Sequence, residues 1–149
     1  MENKKFLTVM AVFDEATQKR MLDIQNAIIS TVGQGTQTMG IPFHITLGSY
    51  STNELERIIS SIKRVADETK PFEIGFSGQD SFGDRVLFIK PNINDELLRL
   101  RSFFESDYAN GYEWIPHATL FCGNDDEIKK ARALLEKMAL PKSAAIVGI

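Results

Sequence analysis

The chain has 149 residues, 43% hydrophobic and 25% charged, which is the size and make-up of one ordinary globular domain with a real core. Its formal net charge of −3 leaves no global basic field of the kind that long duplex DNA or RNA selects, although a small phosphorylated ligand stays open. The single cysteine, Cys122, excludes an internal disulfide and fits a reducing compartment.

The first predicted strand covers residues 5–13. Its apolar run is too short to span a membrane and lacks a small-residue cleavage site. The expectation is therefore a cytoplasmic protein with no membrane partner. A helix over 16–30 carries Met21, Ile24, Ala27 and Ile28 on one face. The stretch Gly33-Gln34-Gly35-Thr36 follows a helix rather than a strand and lacks the lysine of a phosphate loop, so it reads as a flexible lip over a cleft. A strand over 43–49 precedes a helix over 53–69, whose Leu55, Ile58, Ile59, Ile62 and Val65 share helical spacing. Strands over 72–77 and 85–90 are joined by 79–84, expected as a hairpin turn. A helix over 95–108, with Leu97, Leu100 and Phe104 on its apolar face, leads to a strand over 117–122. A last helix over 126–138 and a strand over 144–149 complete the chain. Ser51 or Thr52 and Asn124 or Asp125 are the expected helix N-caps.

Laid over itself at an offset of 73, the chain places His44-Ile45-Thr46-Leu47 on His117-Ala118-Thr119-Leu120. Without a gap, Glu54 then meets Glu127, Ile62 meets Leu135, and Ile74-Gly75-Phe76 meets Val147-Gly148-Ile149. Two copies are too few for a solenoid. The expected fold is α+β and bilobal, a pseudo-two-fold duplication of strand-helix-strand-helix-strand units around a central cleft. It forms a single domain over 1–149, with internal repeats at roughly 4–77 and 85–149.

These are the only two histidines in the chain, and each stands two residues before a threonine. Strand alternation puts His44 with Thr46, and His117 with Thr119, on one face each. Two imidazoles and two hydroxyls around one cleft suit phosphodiester chemistry. One histidine can act as base while the other protonates the leaving oxygen. Threonine hydroxyls can donate to the non-bridging phosphate oxygens, whose charge rises in the transition state. Trp114, Tyr112 and Phe121 flank the second motif; Trp114 and Phe121 are the candidates for stacking on a base, with core packing the competing use. Cys122 reads as a small buried hydrophobe.

The motifs Phe43-His44-Ile45-Thr46-Leu47 and Pro116-His117-Ala118-Thr119-Leu120, together with the order of elements around them, resemble the 2H phosphoesterase superfamily. That group includes 2′-5′ RNA ligase-like proteins and cyclic nucleotide phosphodiesterases. The resemblance implies a cleft in which His44 and His117 are catalytic and Thr46 and Thr119 bind phosphate. It also implies metal-independent hydrolysis of a 2′,3′-cyclic phosphate or related small phosphodiester on a nucleotide or RNA end, with no cofactor. By the same analogy His44 is the acid and His117 the base. Phe121-Cys122-Gly123 stands where the RNA ligase-like branch commonly has an arginine, which favours hydrolysis over ligation. Two other classes compete: a module that binds an RNA end or nucleotide without turnover, and a metal hydrolase with the histidines as ligands. For the latter, two histidines without a fixed carboxylate make a poor zinc site.

Overall fold

A computed structural model describes residues 5–104 and 114–149 of the chain. The elements run β1 (Phe6–Phe13), α1 (Glu15–Val32), β2 (His44–Ser51), a 3-10 turn (Thr52–Glu54), α2 (Leu55–Glu68), β3 (Phe72–Phe82), β4 (Val86–Pro91), α3 (Asp95–Ser102), β5 (Ala118–Cys122), α4 (Asp125–Glu136) and β6 (Ser143–Gly148). All six strands join one antiparallel sheet in the order β2-β1-β6-β3-β4-β5. The α+β class is as expected, and strand-helix-strand-helix-strand occurs twice along the chain. The two runs interleave rather than stand apart: β6 lies between β1 and β3, and β3 lies between β6 and β4. Exchanging β1 with β4, β2 with β5 and β3 with β6 returns the same strand order read backwards.

β3 connects the two sides. Its residues from Phe72 to Gly75 pair with β6, and those from Phe76 to Phe82 pair with β4. The register slips between Phe76 and Gln79, where Gly78 adopts a positive φ of 97°. The expected hairpin turn over 79–84 is thus largely strand; the reversal is made by Gly83, Asp84 and Arg85. The reason is that Gln79 to Phe82 have cross-strand partners from Ile89 to Val86, so their polar sequence is no bar to pairing. The helix expected over 95–108 ends at Ser102, and residues 105–108, like Tyr112, lie outside the described residues.

Helix ends follow local sequence. Asp14 caps α1 by accepting from Thr17 N and Oγ1. Asn124 caps α4 and forms a reciprocal capping box with Glu127, satisfying two end donors that would otherwise need water. Ser51 caps the 3-10 turn ahead of α2. The apolar faces of the helices meet the sheet in one core that includes Phe13, Ile24, Ile28, Ile45, Leu47, Leu87, Ile89, Leu120 and Phe121, all fully buried. Among the described residues, no helix is long and apolar enough to cross a membrane.

At Gly48 the chain after α3 passes close against β2: a Cβ there would run into the backbone carbonyl of Phe104. Gly48→Ala is therefore expected to destabilise by about 1–3 kcal/mol, the usual cost of overpacking, read as a lower denaturation midpoint in urea at unchanged slope.

Candidate active site

The two motifs occupy the two edge strands, β2 and β5. These edges are not paired with each other, yet residues on them approach within 8 Å, Cα to Cα. The sheet curls to bring its edges together. Within each motif, exposure alternates as strand geometry requires: His44 and Thr46 are half-buried while Ile45 and Leu47 are buried, and His117 and Thr119 repeat the pattern against Ala118 and Leu120.

The alternation breaks at the same point in both. Along β1 the partner shifts from Thr46, opposite Met10, to Gly48, opposite Val9, leaving Leu47 as an extra residue. Along β4 it shifts from Thr119, opposite Phe88, to Phe121, opposite Leu87, leaving Leu120 extra. These are β-bulges. After each one two successive residues, Leu47-Gly48 or Leu120-Phe121, are buried. Phe121 therefore has no exposed surface and cannot stack on a base, contrary to expectation. The same slip returns Cys122 to the face of Thr119, where it is half-buried and lines a cavity instead of filling the core. Burial pushes its thiol pKa up, so the thiol stays protonated at neutral pH.

Both histidines are anchored alike. Nδ1 of His44 bonds the carbonyl of Pro42 at 2.7 Å, and Nδ1 of His117 bonds that of Ile115 at 2.9 Å. A carbonyl only accepts, so Nδ1 carries the hydrogen in each ring. In the neutral form, Nε2 then holds the free lone pair. His117 also sits edge-on to Phe82, with ring centroids 4.7 Å apart, and packs against Phe88 at 5.4 Å. Its pKa is lowered from the ordinary histidine value, chiefly because burial penalises the cation, with the nearby His44 adding repulsion against the opposing pull of the Ile115 carbonyl.

A cavity of about 220 Å³ brings His44 and Thr119, one residue from each motif, together with Gln25, Gln37, Ile41 and Cys122. The predicted lip closes part of this rim and is tied down. Thr36 N donates to Cys122 O at 2.8 Å, and Gln37 Oε1 accepts from Cys122 N at 3.1 Å. Gly35, at φ 69°, passes so near β5 that a Cβ would meet the Cys122 carbonyl at 2.5 Å. Trp114 is half-buried and its Nε1 donates to Thr46 O at 3.0 Å. The Arg101 guanidinium lies 5.3 Å from its ring centre, so the Trp114 ring already has a cationic neighbour.

Sequence reading missed the polar side chains that hold the motif backbones. Gln18 pairs with both backbone groups of Phe43, each at 2.7 Å. Gln25, almost fully buried, donates to Leu120 O at 2.8 Å. Arg101 Nη1 donates to Leu47 O and Phe104 O, both at 2.8 Å. A signal was present: Gln25 stands four residues after buried Met21 and Arg101 four after buried Leu97, polar groups on otherwise apolar helix faces.

An RNA 2′,3′-cyclic phosphodiesterase of Bacillus subtilis (strain 168) is 37% identical over 68 residues, covering 41% of this chain and 37% of that protein. The matched stretch therefore spans little more than a third of that relative's length. The family model of the 2′-5′ RNA ligase superfamily matches residues 39–148, most of the chain and both His-x-Thr-Leu motifs. The chain belongs to the 2′-5′ RNA ligase superfamily.

Proposed function

We propose that the protein is a metal-independent phosphodiesterase that opens a 2′,3′-cyclic phosphate, or a related small phosphodiester, on a nucleotide or RNA end. The observation that carries the reading is the matched pair of histidines on converging strands, each with Nδ1 bound to a carbonyl so that Nε2 is left for chemistry. The name of the B. subtilis relative supports the substrate class. The palindromic strand order and the equivalent bulges support a pseudo-two-fold duplication, with units at roughly 4–77 and 85–149.

In this mechanism His117 is the base. Its lowered pKa favours the neutral ring near pH 7, and Nε2 takes a proton from the attacking water as oxygen bonds to phosphorus. The bond from phosphorus to one ribose oxygen breaks, and protonated His44 gives its Nε2 proton to that oxygen. The rings then exchange protons with solvent. Thr46 and Thr119 donate their hydroxyls to the non-bridging oxygens, whose charge rises towards the transition state. Among the described residues no group of three His, Cys, Asp or Glu side chains is placed to hold a metal ion, and each proton in this scheme moves through an imidazole.

His44→Ala and His117→Ala should each cost about 10²–10⁴-fold in turnover, the worth of one general acid or base. The double variant should lose little more than the worse single, because the pair acts as a unit. Thr46→Val and Thr119→Val should cost less, each removing one hydrogen bond. The check is steady-state turnover of a 2′,3′-cyclic nucleotide alongside affinity for its monophosphate product. Binding without turnover in the wild type, lost when either histidine is removed, would make the protein a binding module.

The pH profile of kcat/KM should be bell-shaped. The acid limb should lie below the ordinary histidine pKa of about 6.5, because activity is lost as falling pH protonates His117 through its depressed pKa. The limbs belong to the coupled pair. Activity should survive EDTA; loss on chelation with recovery on adding a divalent metal would instead identify a metal hydrolase.

A further inference from the structure

His44 opens one edge strand and His117 stands immediately before the other, and these two strands are not paired with each other, so backbone pairing does not set the gap between them. Something else must. Each bulge leaves a leucine without a cross-strand partner, and the carbonyl of each leucine is bound by a side chain from across the molecule. Gln25, on the helix that precedes the first motif, holds Leu120 O of the second. Arg101, on the helix that precedes the second motif, holds Leu47 O of the first. The clamps are crossed.

Helix α1 does this at both ends. Gln18 grips Phe43, the residue before His44, through both backbone groups. Gln25 follows seven residues later, two turns and about 10.5 Å along the same face. One rigid helix thus spans from the entry of the first motif to the bulge of the second. On the other side Arg101 is braced between Leu47 O and Phe104 O, beside a Trp114 that itself holds Thr46 O.

We infer that Gln25 and Arg101 are positioning residues that fix the separation of the two His-Thr pairs by crossed clamps on the bulge carbonyls. For its turnover arm this rests on the phosphodiesterase reading above. A stabilising bond anywhere in the fold would raise stability; these bonds set a distance on which proton transfer depends. A displacement of about 1 Å at a reacting pair can cost on the order of 10²-fold in rate.

The test compares Gln25→Met, which keeps side-chain length, and Arg101→Met, which keeps an unbranched apolar stem, both removing the donors, with Arg101→Lys, which restores one donor and the charge. Both Met variants should lose about 10-fold to 10²-fold in kcat with KM within about 3-fold, the signature of an interaction expressed in the transition state. Arg101→Lys should recover part of the loss. In parallel, the His117 imidazole is titrated by NMR in wild type and Gln25→Met, a swap that changes no charge. With the clamp gone the edges part, His44 repels His117 less and water enters, so the His117 midpoint should rise.

An unchanged kcat and an unchanged His117 midpoint, measured well below the variant's melting temperature, would overturn the inference, even if that temperature is lowered. So would a raised KM at unchanged kcat, which would make Gln25 a direct ligand contact. If the wild type turns over no phosphodiester, the hydrolase reading fails and the titration alone decides the clamp: a rise sustains it and no change refutes it. Should Gln25→Met not fold, Gln25→Asn, polar but one methylene short of Leu120, carries the same measurements.

Discussion

Each motif strand carries one residue with no partner opposite it, and much of the site follows from where that extra residue falls. Placed after the threonine, the bulge lets His and Thr share one face. It then buries two successive residues, Leu47-Gly48 in one strand and Leu120-Phe121 in the other. A regular ladder would have carried Phe121 onto the open face and Cys122 into the interior. The bulge residue has no partner opposite it, and its carbonyl, if buried unpaired, would cost about as much as a lost hydrogen bond. Gln25 and Arg101 meet that demand from opposite halves of the chain. A local irregularity thereby becomes a long-range tie.

The electrostatics of the site follow from the same packing. Phe82 and Phe88 shield one side of His117, and His44 faces it as a like charge. Both effects hold the ring neutral. Two groups of one type can serve as acid and base only if their environments separate their affinities for the proton. The aromatic wall beside His117 supplies a difference between two otherwise matched motifs. The carbonyls of Pro42 and Ile115 supply what they have in common, a fixed tautomer and ring direction.

Much of this was legible beforehand. Helical spacing located four helices, alternation located six strands, and the in-register His-x-Thr-Leu pair pointed to the site, because those signals are local and periodic. What stayed hidden was relational. The bulges at Leu47 and Leu120 depend on partner strands, so strand parity misplaced Phe121 and Cys122. The polar run from Gln79 to Phe82 looked like a turn because its stabilising partners lie on β4. Gln25 and Arg101 broke the apolar pattern of their helices visibly, but which carbonyl each would reach could not be read without the curled sheet. The loop at Gly33 to Thr36 was recognisable as a rim, whereas its ties to Cys122 were not.

The central claim is that one fixed imidazole protonates the leaving oxygen while the other, across the cleft, activates water. A fixed acid can face only one of the two ribose oxygens of a cyclic phosphate. Phosphorus-31 NMR of the hydrolysis of a 2′,3′-cyclic nucleotide reads this directly. The account predicts a single phosphomonoester isomer from the first turnovers onward; a mixture of 2′ and 3′ products in comparable amounts, or no product, would contradict it.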